Sequence, residues 1–476
     1  MRLLPQRQHS AHSLQQTAFG RPRSPARFIP HPSALILVLT LLPCLLLAQI
    51  TFLRTYGTSM QEQALAVHQT QDGGYFISGW TGDYDELVCD FFLVRTDSLG
   101  NQTWLRTYHR IYDDCNCGQP TMDGGYVMVG WSGIPESPVG GTWLVKTNGS
   151  GDTMWTRYFG DGESKAATSV WQTTEGGYVM AGGIGESPYI DFWLAKTDSV
   201  GDTLWTRRYG RPDCTEYAYS VAQTADSGYV LVGVTYEAED VFYLVRTDAR
   251  GDTLWTRTYP VGSRTQMRCV RQAADGGFIV VGHHSLGGPA VQLVLLKVDS
   301  SGTTEWSKYY PGTGWATGRW VQPTRDGGYV VCGTIWPVGS APCAWLLKTD
   351  ENGDTLWTRM FGSEDHSDYA RAVTQTSDGG YALTGTTYSF GGSMGEALLV
   401  KTDSVGYVST IAETPERRRA EPLRPTILTR AQLQAELQSD RALSLFDASG
   451  REVLDPRPGV LFLRSPGVAR KVLVTD

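Results

Sequence analysis

No block of Lys and Arg in these 476 residues is long enough to follow a phosphate backbone, and the formal net charge is -8. Nucleic acid is therefore not an expected partner, because affinity for it rests on neutralising phosphates. No metalloprotease, phosphate-loop or dinucleotide signature occurs, and no other catalytic constellation stands in their place. The one long apolar run, residues 34–47, is too short for a membrane span. It follows Arg2, Arg7, Arg21, Arg23 and Arg27 and precedes Ala48-Gln49, which is the plan of a signal peptide over residues 1–48. Pro43 beside Cys44 speaks against lipoprotein processing.

Cysteine is sparse. Cleavage after Ala48 leaves Cys89, Cys115, Cys117, Cys214, Cys269, Cys332 and Cys343, an odd set that cannot all pair within the chain. Cys332 and Cys343 fall on strands expected to be neighbours and form the candidate disulfide. Cys115-Asn116-Cys117 lacks a second ligand pair at metal spacing, so it is read as structural.

What the sequence does have is a repeated phrase. Asp72-Gly73-Gly74-Tyr75 returns as Asp123 to Tyr126, Glu175 to Tyr178, Asp226-Ser227-Gly228-Tyr229, Asp275 to Phe278, Asp326 to Tyr329 and Asp378 to Tyr381, at spacings of 49 to 52 residues. A period of this size carried by short strands marks a solenoid or propeller. The fourth copy shows the unit. Residues 218–224 and 229–234 flank a tight turn, residues 241–247 form a third strand, and Asp248 to Asp252 turn into a fourth at residues 254–259. Four antiparallel strands, here a to d from the axis outward, make one propeller blade.

The seventh copy stops at Gly406 without its outer strand, while Phe52-Leu53-Arg54-Thr55-Tyr56-Gly57 carries that strand's pattern at the other end of the chain. The expectation is an all-β, seven-bladed β-propeller over residues 49–408, closed by the N-terminal strand so that no sheet edge stays open. A Pro-, Glu- and Arg-rich linker, 409–430, then leads to a small β-sandwich-like module, 431–476.

Two glycine columns run through all copies. The second turn glycine, Gly74 to Gly380, is expected to need φ > 0. The strand-b glycine, Gly79 to Gly385, is expected to mark close approach of another backbone, supplied by the adjacent blade. Trp104, Trp155, Trp205, Trp255, Trp306 and Trp357 recur on strand d and are read as packing between blades.

In the tail, Leu445-Phe446-Asp447-Ala448-Ser449-Gly450-Arg451, Pro458-Gly459-Val460-Leu461-Phe462-Leu463-Arg464 and Arg470-Lys471-Val472-Leu473-Val474 resemble the C-terminal sorting domain of type IX secretion cargo. Leu461 replaces the usual Tyr, and the upstream Asn-Pro start is missing. The resemblance implies export by that machinery through residues 431–476, with the outer membrane only as a route and a secreted or cell-surface location. The repeats also resemble those of secreted bacterial propellers, a group without one shared activity.

The c–d turns, such as Asp198 to Asp202 and Asp350 to Asp354, resemble a calcium loop but lack its central glycine and late Glu. Hairpin turns explain them; calcium is the one cofactor left open, and otherwise none is expected. They also resemble the sialidase Asp-box with longer intervals. Arg250-Gly251-Asp252 falls inside the repeat phrase, Gly391 to Gly395 mimics a hydrolase elbow without its helix, and His283-His284 has no matching ligands.

The d–a and b–c loops vary and share one face, where binding residues are expected. Candidates there are Trp80, Asp83, Asp85, Tyr112, Asp113, Asp114, Glu186, Tyr189, Glu237, Glu239, Asp240, Trp315, Trp336, Glu364, Asp365, His366 and Tyr388. Acids outnumber bases among them, which fits a solvated acidic rim or a site for a cation, a basic protein or a glycan. The leading expectation is a binding module without catalysis. A glycan-active hydrolase, needing two converging carboxylates, and a purely structural surface protein are the alternatives.

Overall fold

The computed structural model describes residues 49–409 except 84–87, 134–139, 161, 187–188, 212–213, 237–240, 260–264, 286–290, 311–313 and 392–393. It also describes the strands Thr426–Thr429, Ser444–Phe446, Gly459–Ser465 and Val468–Thr475. The proposed leader, residues 1–48, lies outside the described residues.

Seven four-stranded antiparallel sheets form the blades of a β-propeller, and six are built from consecutive strands. The seventh joins Asp368–Gln375, Tyr381–Thr387 and Glu396–Thr402 to Phe52–Tyr56, with Phe52 opposite Lys401 and Tyr56 opposite Ala397. The seven a strands contact one another in a closed ring around the axis. The tail strands form one further sheet, in which Thr426–Thr429, inside the span read as linker, runs parallel to Val468–Thr475.

The apolar runs of strands b and c follow from burial on both faces. Alternate residues go to different neighbours: Val230, Val232, Phe242 and Leu244 of blade four pack with Val280, Val294 and Leu296 of blade five. Tyr229, Leu231, Tyr243 and Val245 turn instead to Val179, Phe192 and Leu194 of blade three. Period two therefore places the core between blades. The strand-d tryptophans finish each junction as expected. Trp255 meets Phe278 of the next blade edge-on at 6.0 Å, and Trp104, Trp155, Trp205, Trp306 and Trp357 repeat the contact with Tyr126, Tyr178, Tyr229, Tyr329 and Tyr381. Phe52 takes the same place against Tyr75 at 5.8 Å.

Each a–b turn is tied to strand c by an ion pair. Lys297 and Asp275 lie 2.6 Å apart, and Arg95–Asp72, Lys146–Asp123, Lys196–Glu175, Arg246–Asp226, Lys348–Asp326 and Lys401–Asp378 match them. The c–d turns are hairpins: Asp198 accepts the N–H groups of Val200 and Asp202 at 3.0 and 2.9 Å.

The second turn glycine has another cause than the sequence suggested, whereas the strand-b glycine does meet a close backbone, though one within its own blade. Positive φ belongs to the first turn glycine, as at Gly276 (φ 85), and Ser227 adopts φ 67 in the copy without glycine there. The second turn glycine is required because a Cβ at Gly228 would collide with the carbonyl oxygen of Thr247, and the other six copies repeat this. On strand b, a Cβ at Gly282 would strike the Gln266 carbonyl, which belongs to strand a of the same blade, not to a neighbour.

Cys332 and Cys343 are free thiols. Cys332 pairs with Leu346 and Cys343 with Ile335, an odd offset that turns the two side chains to opposite faces of the sheet.

Candidate functional site

The collision that demands a strand-b glycine comes from a β-bulge. Each a strand slips register once opposite that glycine, for instance between Met267 and Cys269, between Gly318 and Trp320, and between Ala370 and Ala372. A bulge leaves one residue unpaired, and here that residue lines the ring of a strands. The seven bulged residues are Leu65, Asn116, Thr168, Tyr219, Arg268, Arg319 and Arg371. The last three put guanidinium groups from blades five, six and seven side by side.

All three are half-buried, and the Nε of each is buried without a hydrogen-bond partner among the described residues. Arg268 lies over the Tyr219 ring at 4.1 Å and donates to Gln266; Arg371 lies 5.9 Å from the Tyr369 ring. Burial first, then the charges of Arg371 and Arg268, push the Arg319 pKa down; burial and then Arg268 do the same to Arg371. Among the described residues no carboxylate forms an ion pair with any of the three. A guanidinium does not shed its proton under physiological conditions, so the crowding persists as an uncompensated positive field. Burial, then Arg268 and Arg319, hold the His283 imidazole down at about 3, so it is neutral here.

Towards the a–b turns the axis is filled. Arg271, about nine-tenths buried, lies 4.4 Å from the Trp320 ring and 5.3 Å from the Trp171 ring. It donates to Val270 O at 2.7 Å and Ser220 Oγ at 3.2 Å. Trp320 also packs on three core clusters, spanning blades five to seven and blade one. His68 of blade one is held down to about 4 by burial and then by Arg271. Side chains from five blades thus converge on one cation held by aromatic faces.

Towards the variable loops the arginines meet a run of aromatic rings. Half-exposed Trp315 crosses Trp336 at 6.1 Å, and Trp336 crosses Tyr369 of the next blade at 6.3 Å. Tyr388 accepts from Gln61 Nε2 at 2.8 Å.

Of the residues expected on this face, Trp315, Trp336 and Tyr388 thus come together beside Arg371. The others scatter. Trp80 is buried, and Tyr112 lies 6.0 Å from Trp131. Asp113 is fully buried and accepts the N–H groups of Arg110 and Ile111, capping its d–a loop as Glu62 and Glu216 cap theirs. Asp83 and Asp114 are half-buried, Asp114 on the opposite side of the a-strand ring from the arginines. Glu186 and Tyr189 face each other at an exposed hairpin end. Glu364, Asp365 and His366 are exposed on the d–a loop of blade seven. Asp85, Glu237, Glu239 and Asp240 lie outside the described residues. Asp90, His109 and Asp113 bring ligand atoms within 4.8 Å of one another; the backbone occupies Asp113 Oδ2, Asp113 Oδ1 has no hydrogen-bond partner among the described residues, and His109 pairs with Asp90 at 2.6 Å.

Acid-weighted counting of loop residues missed the arginines because they are on strands. A signal was present: Arg268, Arg319 and Arg371 share one register relative to the invariant strand-b glycine in three successive copies.

No family model matches this chain, and no curated protein matches it. Among solved structures it is similar to a PL25 polysaccharide lyase, ulvan lyase, at 10% identity over 75% of this chain and 97% of that one, with a TM-score of 0.50. It is also similar to Sqt1 from Chaetomium thermophilum (9% identity, 74% and 97% covered, TM-score 0.42) and to YCF48 bound to D1 peptide (8%, 75% and 95%, TM-score 0.45). At these identities the likeness is one of fold.

Proposed function

We propose that this chain is an exported binding module that holds an anionic group of its ligand on the three axial arginines. The observation that carries the reading is the set Arg268, Arg319 and Arg371, which converge from adjacent blades with buried Nε groups and no carboxylate counterion among the described residues. An anion entering there gains charge-assisted hydrogen bonds and relieves the mutual repulsion of the three guanidinium groups. A binding role without chemistry is supported by the duties of the buried acids at the starts of the a strands, since Glu62, Asp113 and Glu216 cap backbone N–H groups. Hydrolysis of a glycan would need a carboxyl pair free to act as acid and base.

Calorimetric titration tests this reading. A glucuronate-containing oligosaccharide is expected to bind and its neutral glucose counterpart to fail. Arg268→Met with Arg371→Met should remove the heat signal, since each charge-assisted contact contributes about 1.5–3 kcal/mol. Equal binding of the neutral sugar would overturn it.

Export belongs to the same proposal and rests on the tail motifs around Phe446, Phe462 and Val472. A reporter fused to residues 431–476 should leave cells that have type IX machinery and stay inside cells that lack it.

A further inference from the structure

We infer that the axial site is a blind receptor that takes the acidic end of a saccharide chain and not the middle of an acidic polymer. The inference rests on the anion-binding reading above and adds a direction of entry. Three observations carry it, and they lie in order along the axis.

At the a–b turn side the passage is stopped. Arg271 sits between the rings of Trp171 and Trp320, at 5.3 and 4.4 Å, and is further anchored on Val270 O and Ser220 Oγ. Its charge is already satisfied by aromatic faces and two acceptors, so it closes the floor without competing for the ligand.

One layer nearer the variable loops stand Arg268, Arg319 and Arg371. Arg268 covers the Tyr219 ring of the same layer at 4.1 Å, and on the loop side Gln266 lies beside Arg268 and Tyr369 and Tyr388 beside Arg371. The plug bars approach from the a–b turn side, so an anion reaching the arginines comes from the variable face and has the plug directly behind it. A polymer carrying its charges internally would have to continue past that point. A terminal carboxylate, sulfate or phosphate monoester does not.

Tyr369, Trp336 and Trp315 then step outward, each crossing the next at 6.3 and 6.1 Å, from beside Arg371 to a ring half-exposed at the rim. Aromatic faces accept the C–H faces of pyranose rings and ask for no strand pairing. That favours a saccharide over a peptide as the carrier of the terminal acid.

The test uses the full chain and four tetrasaccharides: glucuronate at the non-reducing end, the same with that acid methyl-esterified, glucuronate only internally, and none. The end-acid sugar is expected to bind at least tenfold more tightly than the internal-acid one, and esterification should remove binding. Millimolar sulfate should compete with it. Trp315→Ala, at an exposed ring, should weaken the tetrasaccharide about three- to tenfold while leaving sulfate competition unchanged. Internal-acid sugar binding as tightly as the end-acid form, with sulfate still competing, overturns end recognition alone. Failure of sulfate and of every acidic sugar overturns the anion site itself. A peptide with a free C-terminus competing as well as the sugar, while its amide does not, overturns the saccharide assignment.

Discussion

The Tyr259 hydroxyl of blade four donates a 2.6 Å hydrogen bond to the carbonyl of Gly302 in the c–d turn of blade five, and the contact is buried. Tyr56, Tyr108, Tyr209 and Tyr310 reach Gly100, Gly151, Gly251 and Gly353 in the same way. Five of the seven ring junctions are thus held by a buried polar contact beside an aromatic one, and Phe159 and Phe361 stand at the equivalent strand ends of the other two.

Tyr259→Phe is expected to lower stability by about 1–2 kcal/mol, because a buried carbonyl loses its donor. Trp255→Ala in the same junction should lower it by about 3 kcal/mol through lost packing. Denaturant titrations measure both, and the tyrosine change should leave the m-value unaltered.

The two turn positions of blade four should respond in opposite senses. Gly228→Ala puts a Cβ onto the Thr247 carbonyl and is expected to destabilise by about 3 kcal/mol. Ser227→Gly removes a side chain from φ 67 and is expected to be neutral or to stabilise by about 1 kcal/mol. Two thermal melts decide the matter.

Ring closure gives a third expectation. Phe52 is buried against Tyr75, and its strand covers the edge of Glu396–Thr402. Phe52→Ala should cost about 3 kcal/mol. A chain starting after Gly57 bares that edge and should form concentration-dependent aggregates in light scattering.

Much of this was legible in the sequence. Six tryptophans at one register, the turn phrase and the displaced strand at Phe52 specify blade number, closure and inter-blade packing, since each is a local pattern repeated. The second turn glycine was legible as an invariant and not as a cause. A collision with the Thr247 carbonyl depends on where strand c runs, and Ser227 shows that φ > 0 alone does not exclude a side chain. The candidate site was half legible. Trp315, Trp336 and Tyr388 follow from loop variability. The arginines depend on a one-residue bulge that turns positions 268, 319 and 371 towards the axis, and alternation alone does not reveal a bulge.

Acid should act in two stages. His68 and His283 are held at about 4 and about 3, below their usual value near 6.5, so the unfolded chain takes up protons first. Stability from their neutral forms is complete above about 6.5 and declines as pH falls towards 4 and then 3. The turn acids, such as Asp123, Asp275 and Asp326, have lowered pKa values and add their loss only below the ordinary carboxylate range. His68→Gln should make the decline in melting temperature between pH 6.5 and 4 shallower, with the remainder due to His283, and should leave the steeper decline below it.

The most direct measurement compares the melting of the native chain and Arg319→Met in chloride and with millimolar sulfate, well below the concentrations at which exclusion from the surface stabilises every protein. Removing one of three crowded cations should raise the melting temperature in chloride, because an unpaired buried charge is lost. Sulfate should raise the melting temperature of the native chain by mass action and leave the variant's unchanged. A variant that melts lower in chloride and still responds to sulfate as the native chain does would contradict the account.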